Sequence, residues 1–346
     1  MPNKAAFMTG IGQMEIREVP MPVAKENEVV VKLEYVGICG SDVHYFEYGR
    51  IGDFVVKGDF ILGHECAGTV TEVGKNVTHL KAGDRVALEP GATCGECEFC
   101  ATGRYNLCPS VEFLATPPYH GCFENYIAFP AKLAFKLPGG LSAKEGALIE
   151  PLAVGLEAAS VGGVALGSSV AILGAGCIGL MSLLASKARG ATDITVVDVI
   201  EKRLDKAMEL GATRVIDASR VNTTEALLAA TNGEGADVVM ETAGSARTTQ
   251  QTPFVVKRGG VIVLVGMAPD DVIPFNFAKL MGQVASLRTI FRYKNQYPTA
   301  INAISSGLID VSGIVTNEFN FSDIASAFRV NIENKKDVVK IVVKID

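Results

Sequence analysis

The sequence predicts an α/β protein in which a doubly wound parallel sheet accompanies a second, mostly β domain. A strand, a glycine-rich turn, a helix-length segment and a second strand follow one another over residues 170–198. From about Leu156 to Phe291, strand-like and helix-like segments alternate, which is typical of parallel sheets. Residues 1 to about 150 instead contain short strands and almost no long helical periodicity.

Composition restricts the class of function. The 346 residues suffice for about two domains, and the net charge of −6 offers no basic surface for nucleic acid. The N-terminus lacks the apolar segment of a signal peptide. Eight cysteines in such a chain favour metal or thiol chemistry over a disulfide scaffold. We therefore expect a cytoplasmic protein.

Alternating or β-branched runs predict the individual strands. In the first part they cover 28–35, 68–73 and 84–89. In the second part they cover 170–173, 194–197, 213–216, 237–240 and 261–265, with a helix at 201–210. The tail at 337–345 is a further strand candidate that could rejoin the first domain.

Residues 170–198 carry the pattern of a dinucleotide-binding unit. Gly174 permits a tight turn, Gly176 lets the backbone approach a pyrophosphate, and Gly179 lets the helix pack closely. The helix N-terminus favours phosphate. Asp198 ends the second strand, where a carboxylate accepts ribose hydroxyls and repels the 2′-phosphate of NADP. The pattern therefore predicts NAD as the cofactor.

Two other interpretations of this region are weaker. A glycine-rich loop in an ordinary α/β domain has the same short motif, but the flanking strand, helix and acid favour a cofactor site. The uncharged stretch between Glu157 and Lys187 is long enough to span a bilayer. Six glycines interrupt it, however, and a strand buried on both faces is also continuously apolar. We expect no membrane span.

Further cofactor contacts are expected near the strand ends. Arg203 lines the adenosine pocket or caps a solvated face, and Ile178 packs on the pyrophosphate or in the core. The remaining candidates are Val265, Gly266, Met267, Ile290, Phe291 and Arg292.

Four cysteines on one loop predict a structural zinc site. They are Cys94, Cys97, Cys100 and Cys108, with three of them spaced by two residues. Four thiolates close a tetrahedral shell and leave no open position. An iron–sulfur cluster is the rival, because cysteine runs also bind those.

A second, scattered group suits a catalytic metal, which needs three protein ligands and one open position. Cys39, His64 and one of Glu65 or Glu150 would supply them. From the residues alone, this prediction is weaker than that of the four-cysteine zinc site. An isolated cysteine beside glycine is more often buried filler, and a His-Glu pair is more often a surface feature.

The order of these motifs resembles that of the zinc-containing medium-chain dehydrogenases over essentially the whole chain. The motifs are Cys39-Gly-Ser-Asp-Val-His44, Gly63-His-Glu65, the four cysteines, Glu150-Pro-Leu-Ala-Val-Gly155 and the glycine-rich turn. Residues 44–52 and 291–298 resemble the branch of sorbitol (L-iditol) and xylitol dehydrogenases.

The resemblance implies a GroES-like catalytic domain and a Rossmann domain. The first would comprise 1–155 and 292–346, with a zinc lobe near 91–110, and the second 156–291. It also implies a homotetramer with two zinc ions per chain. The catalytic ion would be held by Cys39, His64 and Glu65, with Glu150 nearby or alternating as ligand.

The resemblance also suggests how substrate and proton are handled. Polyol contacts are expected from Tyr45, Glu150, Arg292 and Tyr293, although a salt bridge at the domain junction is the alternative for Arg292. Ser41 and His44 suit a relay that removes the hydroxyl proton. A helix N-cap is the alternative for Ser41, and an exposed or cofactor-contacting position is the alternative for His44.

The expected function is oxidation of a secondary alcohol of a polyol to a ketose by hydride transfer to NAD. Dehydrogenases of 2,3-butanediol or L-threonine are the rivals within the family. A non-catalytic NAD-binding protein is the rival from another class, but it would not need an open metal site.

Overall fold

The computed structural model describes residues 2–268 and 272–345. Two compact units divide the chain. One comprises residues 1–150, 297–306 and 314–346, and the other comprises 151–296 and 307–313. Among the described residues, no helix is both long and apolar enough to cross a membrane.

Short strands dominate the first 150 residues. They are β1 (Asn3–Gly10), β2 (Gln13–Val19), β3 (Glu28–Ile38), β4 (Arg50–Ile51), β5 (Phe54–Val55), β6 (Phe60–Ile61), β7 (Glu65–Val73), β8 (Arg85–Leu88), β9 (Gly91–Ala92), β10 (Glu112–Phe113), β11 (Tyr126–Pro130) and β12 (Ala134–Lys136). The helices are α1 (Gly40–Tyr48), α2 (Glu98–Ala101) and α3 (Ala143–Ala147), with 3₁₀ turns at Tyr105–Leu107 and Ala131–Leu133.

Strands and helices alternate through the second unit. The strands are β13 (Ser169–Leu173), β14 (Asp193–Asp198), β15 (Arg214–Asp217), β16 (Ala236–Glu241), β17 (Val256–Leu264) and β18 (Ser286–Thr289). The helices are α4 (Ile149–Gly162), α5 (Cys177–Ala188), α6 (Glu201–Leu210), α7 (Thr223–Ala230), α8 (Ala246–Val255) and α9 (Phe277–Gln283).

The last fifty residues add α10 (Tyr297–Ser305), β19 (Asn317–Asn320), α11 (Ile324–Glu333) and β20 (Ile341–Lys344). Two 3₁₀ turns lie at Ser312–Ile314 and Phe321–Asp323.

A seven-stranded sheet forms the core of the first unit. Its order is β12-β8-β7-β3-β20-β19, and β11 also pairs with β3. The strand expected at 28–35 extends to Ile38 because β7 and β20 pair with its last residues on both sides. Gly37 on β3 therefore lies opposite Glu65 on β7 and Val342 on β20.

The sheet of the second unit is entirely parallel, with the order β15-β14-β13-β16-β17-β18. This is the doubly wound order, and ligands bind such sheets where the order reverses, here between β13 and β16. The strand expected at 261–265 begins earlier, at Val256. The sequence does not predict this start, because Lys-Arg-Gly-Gly at 257–260 has no apolar pattern. The predicted α/β class is confirmed.

Candidate functional site

The first site brings together three residues from two segments of the chain. Cys39 follows β3 and is the N-cap of α1, whereas His64 precedes β7 and Glu65 is its first residue. One ligand atom from each lies within 4.8 Å of the others. His64 and Glu65 are buried, with exposed fractions of 6% and 1%.

The carboxylate of Asp42 connects the two segments. Its Oδ2 accepts a hydrogen bond from the Cys39 backbone N–H at 3.0 Å, and its Oδ1 accepts one from the Gly63 N–H at 2.9 Å. Oδ1 also lies 3.6 Å from Nδ1 of His64. Asp42 is fully buried, and the sequence alone does not indicate this role for it. The alternative of Ser41 as N-cap is wrong, because Cys39 occupies that position and Ser41 lies within α1.

The atoms of this group fit a zinc ion. Nδ1 of His64 and Oε2 of Glu65 are buried and make no hydrogen bond, although Oε2 lies 2.5 Å from the Lys340 ammonium. Burial opposes a charged imidazole, but the neighbouring Asp42 and Cys39 outweigh it and raise the pKa of His64 well above its usual value. The same surroundings favour a bound cation. A thiol, an imidazole and a carboxylate leave a fourth tetrahedral position open.

Glu150, the other carboxylate considered for the metal, does not belong to this group of three. It is buried in the first turn of α4, with an exposed fraction of 5%.

Four thiols form a second metal-binding group around α2. The Sγ atoms of Cys94 and Cys100 are 3.9 Å apart, those of Cys97 and Cys100 are 3.5 Å apart, and those of Cys94 and Cys108 are 3.6 Å apart. Tetrahedral zinc with bonds of about 2.3 Å separates its sulfur ligands by about 3.8 Å. Backbone N–H groups of Glu96 and Cys97 lower the pKa of Cys94 to about 6, which favours the thiolate that zinc binds.

In the second unit, a cavity of about 340 Å³ lies where the sheet order reverses. Gly174, Gly176, Asp198 and Arg203 line it, as the sequence predicts for a dinucleotide pocket. The opposite wall was not predicted. It is built from the turn after β16 and the start of α8, with Thr242, Ala243, Ser245, Arg247, Thr248 and Gln251.

Glycine is needed at two positions of the turn between β13 and α5. Gly174 has a φ of +112°, and a Cβ there would lie 2.8 Å from the backbone N of Ala243. A Cβ on Gly179 would lie 1.8 Å from the Gly174 carbonyl oxygen. At Gly176, which lines the cavity, the Cβ position has no atom within 4 Å. This space would accommodate a pyrophosphate beside the N-terminus of α5.

The carboxylates of Asp198 and Glu241 organise the two walls. Asp198 accepts backbone N–H groups from Ala175 at 2.6 Å, Val199 at 2.8 Å and Ile200 at 3.0 Å. Oε1 of Glu241 accepts those of Ala243 and Gly244, and the Thr248 hydroxyl at 2.7 Å. Desolvation of Glu241 outweighs these donors and raises its pKa.

The other predicted cofactor residues lie outside the cavity lining. Ile178 lies in α5. Val265 and Gly266 follow β17, and their backbone N–H groups donate to the Glu241 carbonyl oxygen. Met267 is exposed. Ile290 follows β18, and its N–H donates to the Leu264 carbonyl.

The segment after Ile290 is held to α4. Lys294 and Gln296 donate to the two carboxylate oxygens of the buried Glu157 at 2.6 and 2.8 Å. Within this segment, the Arg292 guanidinium lies 4.9 Å from the Phe291 ring centre, and Tyr293 is buried. Its predicted contacts with cofactor or substrate remain predictions.

The remaining predicted residues share α1. Ser41 and His44 lie one turn apart and are partly exposed, and the His44 ring lies 4.7 Å from that of Tyr48. Tyr45 is buried, with its ring 6.5 Å from that of Phe60.

Two family models match this chain. Residues 25–139 match the alcohol dehydrogenase GroES-like domain, and residues 177–306 match the zinc-binding dehydrogenase domain.

Curated relatives match nearly the full length. An uncharacterised zinc-type alcohol dehydrogenase-like protein of Escherichia coli K12 is 49% identical over 100% of this chain and 99% of its own. The sorbitol dehydrogenase of Bacillus subtilis is 43% identical over 98% and 96%, and that of Homo sapiens is 41% identical over 94% and 92%.

Solved structures share the fold. An Escherichia coli oxidoreductase/dehydrogenase of unknown specificity is 47% identical, with a TM-score of 0.96 over both full chains. The 2R,3R-butanediol dehydrogenase of Bacillus subtilis is 30% identical, with a TM-score of 0.91 over 99% of this chain and 100% of its own. A chain from Sinorhizobium meliloti 1021, described as a zinc-binding dehydrogenase bound to NADP, is 29% identical, with a TM-score of 0.91 over 99% of each.

A GroES-like and a zinc-binding dehydrogenase family model therefore both match this chain, and the relatives at 41–43% identity are sorbitol dehydrogenases. The cysteine cluster and the Cys39–His64–Glu65 group suit the structural and catalytic zinc ions of such enzymes. This chain belongs to the zinc-containing medium-chain dehydrogenases, in the branch that includes the sorbitol dehydrogenases.

Proposed function

We propose that this dehydrogenase oxidises a secondary alcohol of sorbitol, xylitol or L-iditol to the ketose while NAD is reduced to NADH. The group formed by Cys39, His64 and Glu65 carries the proposal, because it offers three zinc ligands and an open fourth position. The sorbitol dehydrogenase relatives, at 41–43% identity over nearly the whole chain, support a polyol as substrate.

The bound groups would supply the electrophilic part of the chemistry. Zinc would polarise the substrate hydroxyl, and the nicotinamide ring would accept the hydride, two electrons with one hydrogen, from the carbon that bears this hydroxyl. For NAD over NADP, the support is Asp198, whose carboxylate lines the cavity at the ribose end of the motif.

The protein side chains would bind substrate and move the proton. Ser41 and His44, one turn apart on α1, would pass the hydroxyl proton towards solvent. Tyr45, Glu150, Arg292 and Tyr293 are the proposed polyol contacts. Sites that hydrogen-bond substrate hydroxyls reject analogues without them by factors of up to about 10⁴–10⁵.

The test is a side-by-side assay of NADH formation with sorbitol, xylitol, L-iditol, 2,3-butanediol and L-threonine. A polyol is expected to have the highest kcat/KM. Dialysis against a chelator should abolish NADH formation while NADH binding, followed by fluorescence, persists. A higher kcat/KM for butanediol or threonine would overturn the substrate assignment, and full activity without zinc would overturn the proposed site.

2,3-Butanediol is the second candidate substrate. The butanediol dehydrogenase structure favours it, with a TM-score of 0.91 at 30% identity. The sorbitol dehydrogenases match with higher identity, so we place butanediol second.

We also propose that the chain forms a homo-oligomer, and that the edge of the parallel sheet contributes to the contact. No residue of α9 is buried, and all four residues of the edge strand β18 are exposed. Phe277, Met281 and Val284 expose 61%, 76% and 80% of their surface. Exposed apolar surface beside a sheet edge is typical of a protein interface.

A further inference from the structure

A buried lysine lies beside the proposed zinc ligands. Lys340, which immediately precedes β20, exposes only 2% of its surface. Its Nζ donates to the Ile38 carbonyl oxygen at 3.0 Å and to Oε1 of Glu65 at 2.7 Å, and lies 2.5 Å from Oε2. Lysine is almost never fully buried unless it is paired, so this contact accounts for its position.

The sheet register makes room for this contact. β3 runs between β7 and β20, and Gly37 on β3 faces Glu65 directly. A Cβ on Gly37 would lie 2.0 Å from Oε2 of Glu65, so the carboxylate packs against bare backbone. In this position the Glu65 carboxylate contacts the Lys340 ammonium. One carboxylate oxygen of Glu65 also lies within 4.8 Å of the ligand atoms of Cys39 and His64.

We propose that Lys340 is a positioning residue of the zinc site, which fixes the Glu65 carboxylate in the orientation from which it binds the metal. The inference rests on the proposed ligand set. A carboxylate has about four lone-pair positions, so Glu65 can accept from the ammonium and bind a metal at the same time. Partners that orient a metal ligand in this way typically contribute about 10–100-fold to metal affinity.

A purely structural ion pair would behave differently. It would stabilise the junction of β20 with β3 and β7, but its loss would leave the coordination of the metal unchanged. Metal affinity and the spectrum of the metal therefore distinguish the two roles, whereas activity alone does not.

The experiment uses the full chain loaded with Co²⁺, and measures its d–d absorption and its release to a competing chelator. Lys340→Met is expected to lower Co²⁺ affinity at the Cys39 site by about 10–100-fold and to shift the d–d bands. The four-cysteine site should keep its affinity. Lys344→Met is the matched control, since this lysine is exposed at the end of the same strand. If Lys340→Met does not fold, Lys340→Gln replaces it, with the same loss expected.

Wild-type affinity and spectrum in the Lys340 variant would overturn the proposal. So would an equal loss in Lys344→Met, or an equal loss from both metal sites. Cys39→Ser separates this result from a failure of the ligand assignment. If Cys39→Ser still binds two Co²⁺ ions, the proposed zinc site itself is wrong. If Cys39→Ser binds only one Co²⁺ ion, the loss of affinity measured in Lys340→Met refers to the site formed by Cys39, His64 and Glu65.

Discussion

Asp198 both accepts backbone hydrogen bonds and lines the cavity of the second unit. Its carboxylate accepts three backbone N–H groups, including that of Ala175 in the glycine-rich turn, and it also lines the cavity. One oxygen therefore holds the turn, and we propose that the same carboxylate disfavours a 2′-phosphate.

Asp198→Ala should weaken NAD binding and narrow the preference for NAD over NADP. The turn loses an acceptor, and the negative charge that repels the 2′-phosphate disappears. The measurement is kcat/KM for both cofactors. Asp217→Ala is the control, because Asp217 faces Asp198 from the end of β15 but does not line the cavity. Unchanged selectivity in Asp198→Ala would remove this role.

Glu124 should give the stability of the protein a distinct pH dependence. Burial raises its pKa to about 8, against 4.5 for an ordinary glutamate, and the Asn3 amide only partly opposes this. The folded state therefore binds the proton more tightly than the unfolded state. The free energy of unfolding should fall as the pH rises from about 4.5 to about 8.

In Glu124→Gln this contribution is absent, so urea unfolding at pH 5 and pH 8 should differ less than in the wild type. The exposed Glu112→Gln is the control and should keep the wild-type difference. Identical pH dependence in Glu124→Gln and wild type would show that Glu124 is not protonated in the folded protein.

At the scale of elements, the turn after β16 depends on one buried side chain. Glu241 exposes 1% of its surface and accepts from Ala243, Gly244 and Thr248, which belong to or adjoin the cavity wall. Removing it takes the acceptor from these part-buried donors, at a cost of about 0.5–1.5 kcal/mol for each hydrogen bond.

Glu241→Ala should therefore raise the KM for NAD and lower the midpoint of urea unfolding. Glu241→Gln keeps a carbonyl oxygen as acceptor and should restore most of both. Fluorescence titration with NADH and urea unfolding provide the measurements. If Glu241→Ala bound NADH as tightly as the wild type, this turn would not form the cofactor pocket.

The sequence predicts the elements well where a local pattern exists. The α6 helix runs from Glu201 to Leu210 as expected, and each strand of the parallel sheet through β17 overlaps its predicted range. Prediction is less complete after Phe291, where α10 and α11 occur in a stretch in which the strand–helix rhythm stops. Both helices bury apolar residues at helical spacing, such as Ile301 and Ile304 in α10 or Ile324 and Phe328 in α11. What the sequence does not show is which distant strands these faces pack against.

Within the candidate site, residues that belong to short motifs were predictable, whereas contacts between residues far apart in the sequence were not. The Cys39 and His64 motifs were recognisable, and the structure places their ligand atoms together. Lys340 lies 275 residues from Glu65, and no motif links them. A single charge within Val-Val-Lys-Ile-Val-Val was the available signal, because a lysine in a buried strand needs a partner. Asp42 lies within the Cys39 motif, but its carboxylate also accepts a hydrogen bond from Gly63, and the sequence does not show that Gly63 lies close to it.

At the scale of the whole molecule, the proposed oligomer can be tested at Val284, the residue that follows α9. Val284→Asp places a charge in the exposed apolar region beside β18 and should shift sedimentation velocity towards a smaller species. Leu166→Asp is the control, because Leu166 is 87% exposed in a different part of the second unit. Equal sedimentation of Val284→Asp and wild type would place the interface elsewhere.

The most direct test of the account is the zinc content per chain. Elemental analysis of the purified protein should find two zinc ions per chain. Cys39→Ser should reduce the ratio to one and abolish dehydrogenase activity, because it removes a ligand of the proposed catalytic ion. A ratio of one or less in the wild type, or a ratio of two in Cys39→Ser, would contradict the proposed catalytic centre.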